Sequence, residues 1–216
     1  MSELRNELIA TARAMVGAGL NKGTSGNVSV RYPSEFSDHD SGFYITPTGL
    51  PYDSLTPEDI PWMALDGSWQ GQRKPSSEWR FHRDLYASRP EVGAVLHAHS
   101  PFAVSLACLR REIPPFHYMI ARFGGDTLRC ADYAIFGSTA LSTAALQAMQ
   151  DRKGCLLANH GLLVAGRDLA EALSLAVELE ELCEQYWRAC QLGSPVLLSA
   201  AEMAAVLEQF KGYGQQ

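Results

Sequence analysis

The spacing of apolar side chains predicts a helix at the start of the chain. Leu4, Leu8, Ala12 and Met15 recur every three or four positions, which places them on one face of a helix. Ser2 precedes them and can act as the N-cap, and two glycines shortly after the pattern end it. We therefore expect an amphipathic first helix that packs against a core.

Short apolar or alternating runs further along the chain predict strands. They are separated by polar, glycine-rich or proline-rich loops, which are typical connections between strands. The runs are VSV at 28–30, FYIT at the start of FYITPTGLPY (43–52), the core of GAVLHAHSPF (93–102), and GCLLANHGLLVAG (154–166). The last of these is interpreted as one strand-like run that polar residues interrupt at its middle.

Later segments predict further helices. The segment PSSEWRFHRDLYASRP predicts a helix that begins near Ser76 and stops before Pro90. Asp168 and Glu171 form a capping box for a long helix, and a serine–glutamate pair at 199–202 repeats the device for a last one. Helices that flank and interleave strands indicate an α/β or α+β class in one layered domain spanning residues 1–216.

Composition narrows the classes of function. The chain has 216 residues, of which 46% are hydrophobic, and 18 basic against 24 acidic residues give a formal charge of −6. This balance argues against nucleic acid or an anionic membrane as the main partner, but leaves room for a small phosphorylated substrate. The five cysteines include no CxxC pair, so neither a disulfide framework nor a thiolate zinc site is indicated. With no signal peptide and no long apolar run, we expect a cytoplasmic protein.

Two histidines on one strand are the strongest chemical signal. Side chains on a strand alternate between faces, so His97 and His99 point the same way. One interpretation is that backbone carbonyls satisfy each ring, and the other is that both rings bind one metal ion. His160 is a candidate third ligand, and three histidines leave a position open, as in catalytic zinc sites. His39 and His82 are expected to be surface residues.

A carboxylate and two small loops complete the candidate chemistry. Glu78, near the start of the helix after PSS, is the best candidate for an acid or base, although a glutamate there is ordinarily only a partner of the helix dipole. TSGN (24–27) and PSS (75–77) offer hydroxyls, amides and backbone N–H groups. Together they could hold a phosphate group without lysine or arginine.

Taken in order, eight segments closely resemble the class II aldolase/adducin family. They are GTSGNVSVR, ITPTGLPY, KPSSEWRFH, EVGAVLHAHSPFA, IPPFHYMIA, YAIFG, LLANHGLLV and FKGYG, and they cover nearly the whole chain. The resemblance implies an α/β/α layered domain with a largely antiparallel central sheet. It also implies one Zn2+ per subunit, held by His97, His99 and His160. Glu78 would be a fourth ligand and the base that transfers a proton.

The resemblance also assigns the substrate. It implies reversible cleavage of a ketose 1-phosphate, with L-fuculose 1-phosphate the first expectation, into dihydroxyacetone phosphate and an aldehyde (L-lactaldehyde). Tyr118 would protonate the aldehyde-side oxygen in a neighbouring subunit of a fourfold-symmetric homotetramer. Phe136 and Tyr213 would line the aldehyde end. The implied phosphate contacts are Ser25, Gly26, Asn27, Thr48, Gly49, Ser76 and Ser77.

Three alternatives stay open. The aldehyde could be that of 5-deoxyribulose 1-phosphate or 5-methylthioribulose 1-phosphate, because the metal ligands do not select it. A sugar-phosphate 4-epimerase or a decarboxylase would use related chemistry, but the resembling epimerases carry aspartate at the positions of Glu78 and Tyr118. A non-catalytic binding module would have lost metal ligands, and this chain keeps all of them.

Overall fold

A computed structural model describes residues 2–32 and 41–210 of the chain. Helices and strands alternate along most of this part. The helices are α1 (Ser2–Gly17), α2 (Trp79–Ser88), α3 (Pro101–Ala107), α4 (Thr139–Ala148), α5 (Leu169–Leu192) and α6 (Ala200–Phe210). The strands are β1 (Asn27–Tyr32), β2 (Gly42–Ile45), β3 (Trp62–Ala64), β4 (Trp69–Gln70), β5 (Ala94–Ala98), β6 (Cys130–Ala131), β7 (Gly154–Leu157) and β8 (Gly161–Gly166).

The strands form one sheet in the order β4-β3-β2-β1-β5-β8-β7-β6. Every neighbouring pair is antiparallel except β6 and β7, which are parallel. The expected α/β class with a largely antiparallel sheet is therefore confirmed. β5 lies at the centre, with β1 on one side and β8 on the other, and His97 pairs with Asn27 across one neighbour and with Leu163 across the other.

Helices cover both faces of the sheet because successive strand residues point to opposite sides. On one face, Leu96 and its alternate neighbours on β5 pack with buried residues of α1, α3, α5 and α6. On the other face, Val95 packs with Phe81 of α2 and Leu141 of α4. His97 follows the alternation of Val95, so its ring points toward the face that α2 covers.

Two local expectations differ from the structure. α2 begins at Trp79 rather than near Ser76, and the backbone N–H of Ser76 donates to Thr46 O at 3.0 Å. The run at 154–166 is a hairpin of two strands rather than one strand. Its turn includes Asn159, whose positive φ of 54° is characteristic of a tight turn. The apolar residues after the histidine strand form α3.

One predicted capping box is complete, whereas at α5 the Glu171 carboxylate accepts from the backbone N–H of Arg167 at 2.7 Å rather than from that of Asp168. Asp168 accepts a hydrogen bond from the backbone N–H of Glu171 at 2.7 Å at the start of α5. Ser199 and Glu202 bond reciprocally before α6, with Ser199 N to Glu202 Oε2 at 2.7 Å and Glu202 N to Ser199 Oγ at 3.3 Å. Within the described residues, no helix combines the length and apolar character needed to span a membrane.

The core on the α5 face gives a direct test of the packing. Leu179 is fully buried on α5, whereas Val177 on the same helix is 43% exposed. We expect Leu179→Ala to lower the free energy of unfolding by about 2–5 kcal/mol, since it removes buried apolar surface and leaves a cavity. Val177→Ala is the matched control and should cost less than about 1 kcal/mol. Equal losses in urea unfolding would contradict the assignment of this helix face.

Candidate active site

Four side chains from distant parts of the chain converge on one point. The ligating atoms of Glu78, His97, His99 and His160 all lie within 4.8 Å of one another. Glu78 Oε2 is 3.2 Å from His97 Nε2, and Glu78 Oε1 is 3.1 Å from His160 Nε2. The three imidazole rings are mutually edge-on, with centroids 4.7–4.9 Å apart. The structure thus brings together all four residues that the sequence nominated as metal ligands.

Three separate parts of the structure supply these side chains. β5 supplies His97, and His99 follows immediately beyond the end of the strand. The turn between β7 and β8 supplies His160, and Glu78 is the residue that precedes the first turn of α2. Gly161 permits the close approach of the hairpin to β5, because a Cβ at this position would lie 2.3 Å from the carbonyl oxygen of Ala98.

Backbone and side-chain hydrogen bonds orient the histidines. His97 Nδ1 lies 2.8 Å from the carbonyl oxygen of Leu162, so this nitrogen carries the proton and Nε2 is left with a free lone pair. Asn21 Oδ1 accepts from the backbone N–H of His99 at 2.9 Å. Just beyond, Glu180 accepts from the N–H groups of Phe102 and Ala103, both at 2.8 Å, and so holds the start of α3. The segment that carries His97 and His99 is therefore fixed at both ends.

The electrostatics favour a neutral His99 imidazole beside an ionised Glu78 carboxylate. Burial, together with the neighbouring His97 and His160, lowers the pKa of His99 to about 4. Burial alone would raise the pKa of Glu78, but the two histidines beside it outweigh burial and hold that pKa far below its usual range. Lone pairs and negative charge are thus directed at the same point.

These residues fit a divalent metal ion. His97 Nε2 and His99 Nε2 face each other at 2.8 Å, a distance at which either one nitrogen carries a proton or both share a cation. Glu78 Oε1 is buried and is left without a hydrogen bond that meets the usual angular limits among the described residues, although it lies 3.1 Å from His160 Nε2. Three imidazole nitrogens and one carboxylate oxygen are a donor set that transition metals such as zinc accept.

The four residues lie beside a pocket of about 370 Å3, which Glu78, His99 and His160 help to line. Among the described residues, no lysine or arginine lines it. All seven residues that the sequence nominated for phosphate are among its lining residues: Ser25, Gly26, Asn27, Thr48, Gly49, Ser76 and Ser77. The structure brings these small, neutral residues together, and their role in holding phosphate stays a prediction.

Pairing between loops joins the three small segments. Pro47 and Pro75 form an isolated antiparallel bridge, which sets the loop at 47–49 beside the loop at 75–77. Tyr52 donates from its hydroxyl to the carbonyl oxygen of Gly26 at 2.8 Å, which ties in the TSGN loop. Gly26 itself has a positive φ of 76°, and a Cβ there would lie 2.3 Å from Asn21 Nδ2.

The residues nominated for the aldehyde end are found in different places. Phe136 lines the pocket and is 66% exposed, while Tyr118 is 51% exposed and is absent from the residues that line it. Tyr213 lies outside the described residues. Tyr133 and Asn159 also line the pocket, and the sequence analysis did not nominate them. Tyr133 begins the segment YAIFG, so membership of that segment was the available signal.

The expectation that His82 is a surface residue is wrong. Its side chain is fully buried, with Nδ1 2.7 Å from Ser29 Oγ and Nε2 2.5 Å from Asn27 Oδ1. Burial lowers the pKa of His82 to about 3, so the ring is neutral. The charged residues around it in sequence suggested exposure, but position 82 lies on the face of α2 that packs on the sheet, with Phe81 and Leu85 also buried.

Comparison with known proteins agrees with this geometry. The chain matches the family described as Class II Aldolase and Adducin N-terminal domain over residues 6–187. It is 54% identical over 211 residues to a protein of Rhodospirillum rubrum named 5-methylthioribulose-1-phosphate/5-deoxyribulose-1-phosphate aldolase, across 98% of this chain and 92% of that protein. It is also 44% identical over 214 residues to the L-fuculose phosphate aldolase of Escherichia coli, across 99% and 96% of the two chains.

A solved structure gives the same result at the level of the fold. The structure of an L-fuculose 1-phosphate aldolase superposes with a TM-score of 0.91 at 38% identity, over 98% of this chain and 97% of that one. Class II aldolases are metal-dependent, and this chain presents three histidines and a glutamate that could hold a metal ion. The chain therefore belongs to the class II aldolase and adducin family, and it is an enzyme of that family, a class II aldehyde-lyase.

Proposed function

We propose that this enzyme cleaves a ketose 1-phosphate reversibly into dihydroxyacetone phosphate and an aldehyde, with one zinc ion per subunit. His97, His99, His160 and Glu78 would hold the ion. The observation that carries the proposal is the convergence of these four side chains beside a pocket walled by neutral, hydroxyl-rich and glycine-rich loops. The names of the 54% and 44% identical relatives, both sugar-phosphate aldolases, support the same reaction.

The residues divide the chemistry between them. When bound, zinc supplies a Lewis acid that stabilises the negative charge left on the ketone side as the carbon–carbon bond breaks. Glu78 transfers the proton at the carbon that becomes the third carbon of dihydroxyacetone phosphate, from a position beside the ligand nitrogens. The serine and threonine hydroxyls and the backbone N–H groups around the pocket hold the phosphate by hydrogen bonds.

Tyr118 is proposed to act in a neighbouring subunit of a fourfold-symmetric homotetramer. Its side chain is 51% exposed and lines no part of the pocket of its own chain, which supports a role elsewhere. Tyr133, Ile135 and Phe136 are also large, apolar and more than half exposed at or near the pocket mouth. An exposed apolar patch of this kind is suited to burial against another subunit.

Two substrate classes are supported by different observations. The relative that is 54% identical favours 5-methylthioribulose 1-phosphate and 5-deoxyribulose 1-phosphate, and we place this pair first. Both would release an aldehyde without a hydroxyl group, which suits a pocket mouth bordered by Tyr133 and Phe136. L-fuculose 1-phosphate is the second candidate, supported by relatives at 44% identity and by the superposed structure.

The proposed compartment is the cytoplasm. The five cysteines are free thiols, at positions 108, 130, 155, 183 and 190. Unpaired thiols are typical of proteins from reducing compartments.

The first prediction concerns substrate and metal. The wild-type enzyme should release dihydroxyacetone phosphate, measured with a coupled dehydrogenase, from at least one of the L-fuculose, L-rhamnulose, 5-deoxyribulose and 5-methylthioribulose 1-phosphates. We expect kcat/KM for the two ribulose derivatives to exceed that for L-fuculose 1-phosphate by about tenfold, a difference of ~1.4 kcal/mol in transition-state binding. A chelator should abolish release, and added zinc should restore it. Zinc-loaded protein that releases nothing from any of the four would direct the search to epimerase and decarboxylase substrates.

The second prediction concerns Glu78. Glu78→Gln should lower kcat by about 100-fold or more, because an amide cannot accept the proton that the carboxylate transfers. Circular dichroism and zinc content, measured alongside kcat, separate lost proton transfer from lost folding or lost metal. Glu58→Gln is the control, since Glu58 is an exposed glutamate away from the pocket. A folded, zinc-loaded Glu78→Gln enzyme with wild-type kcat would remove Glu78 from the mechanism.

The third prediction concerns Tyr118. Tyr118→Phe should reduce cleavage less than Glu78→Gln does, because it removes only the acid on the aldehyde side. Co-expressing the two variants with different tags tests whether Tyr118 acts across subunits. With random assembly, about a quarter of the sites combine Glu78 of one subunit with Tyr118 of its neighbour, so activity should exceed the mean of the separate variants. Mixed tetramers no more active than that mean would place Tyr118 in its own subunit's site or outside catalysis.

A further inference from the structure

A buried line of hydrogen bonds runs from Glu78 into the interior of the sheet. Asn27 Nδ2 donates to Glu78 Oε2 at 3.0 Å, and Asn27 Oδ1 lies 2.5 Å from His82 Nε2. His82 Nδ1 lies 2.7 Å from Ser29 Oγ, which lies 2.7 Å from the hydroxyl of Tyr86. All five side chains are buried, with Glu78 the most exposed at 7%.

The carboxylate determines the direction of every bond in this line. An ionised carboxylate only accepts, so the amide group of Asn27 must face Glu78 and its carbonyl oxygen must face His82. His82 must then donate from Nε2, which leaves Nδ1 as an acceptor in a neutral ring. Ser29 consequently donates its hydroxyl proton to His82 and accepts from Tyr86.

The fold places His82 where it can act on Glu78 through one intermediary. The two residues are four positions apart, with Glu78 immediately before α2 and His82 in its first turns, so they lie about one turn from each other. Asn27 is the first residue of β1 and pairs directly with His97 on β5. The Asn27 amide therefore lies between His82 on one side and the cluster of metal-ligating residues on the other.

We propose that His82 is a positioning residue, which holds the Asn27 amide so that its N–H group orients the Glu78 carboxylate toward the three histidines. The inference rests on the proposed role of Glu78 as ligand and base. Without a donor at His82 Nε2, the Asn27 amide is free to rotate by half a turn. Its carbonyl oxygen would then face the carboxylate oxygen, and Glu78 would be pushed from its place between His97 and His160.

A matched pair of substitutions separates positioning from packing. His82→Gln keeps an amide N–H near the place of Nε2 and so can still donate to Asn27. His82→Asn is similar in polarity and also cannot titrate, but it reaches only the place of Nδ1, toward Ser29. We expect His82→Asn to lower kcat by about 10–100-fold with KM changed less than about threefold, and to weaken zinc binding about tenfold. His82→Gln should stay within about threefold of wild type in kcat, in KM and in zinc affinity.

Zinc affinity is measured by competition with a chromophoric chelator, so this readout does not need turnover. If both variants keep the wild-type kcat and zinc affinity, or if both lose them equally in step with thermal stability, the proposal is overturned. Failure of the wild type to cleave any ketose phosphate would instead count against the proposed function, and the zinc measurement would still decide the role of His82.

A spectroscopic measurement on the metal-free wild-type protein needs no variant. The 15N chemical shifts of the His82 ring should identify a neutral ring protonated at Nε2. A ring protonated at Nδ1, or at both nitrogens, would reverse or break the line of bonds and would overturn the proposal.

Discussion

The rest of the site depends on one constraint, which is that lone pairs and negative charge placed together in a protein interior need a shared partner. His97 is fully buried, and its Nε2 faces His99 Nε2 at 2.8 Å and a Glu78 oxygen at 3.2 Å. Packing such groups without a cation leaves acceptors unsatisfied and is costly. The protein nevertheless builds the arrangement from three separate elements and fixes it with bonds to Leu162 and Asn21. An energetically unfavourable cluster of buried polar groups that the fold keeps in place with further hydrogen bonds is typical of a functional centre rather than a structural one.

The pocket beside this centre separates two electrostatic tasks. In the proposed function, charge stabilisation falls to the histidine and glutamate cluster, while phosphate binding falls to the loops at 24–27, 47–49 and 75–77, which contain no lysine or arginine. Backbone and hydroxyl donors can bind a phosphate with directional hydrogen bonds without adding a positive charge beside the metal-ligating residues. The bridge between Pro47 and Pro75 joins two of these loops, and the bond from Tyr52 to Gly26 ties in the third.

The buried polar side chains behind the site form one consistent set of hydrogen bonds. Asn27, His82, Ser29 and Tyr86 form a line in which each hydroxyl, amide or ring nitrogen meets a partner of opposite character. A buried polar network is stabilising only when all its members are satisfied in one consistent direction. Here that direction is set by the charge on Glu78, so the orientation of residues deep in the sheet and the orientation of the carboxylate depend on each other.

The sequence by itself determined everything that rests on local periodicity and on motifs. Alternation along β5 predicted that His97 and His99 share a face, helical spacing predicted α1, and short-range capping pairs predicted the starts of α5 and α6. Residue types and loop composition nominated His160, Glu78 and two phosphate loops, and the family resemblance implied their roles and added Thr48 and Gly49. The tertiary structure decided what depends on pairing between distant segments. It made a hairpin of residues 154–166, began α2 at Trp79 and buried His82, whose charged neighbours in sequence suggested exposure. The physical reason is that the register between strands and the face of a helix that packs on them are set by long-range contacts, which short-range patterns do not encode.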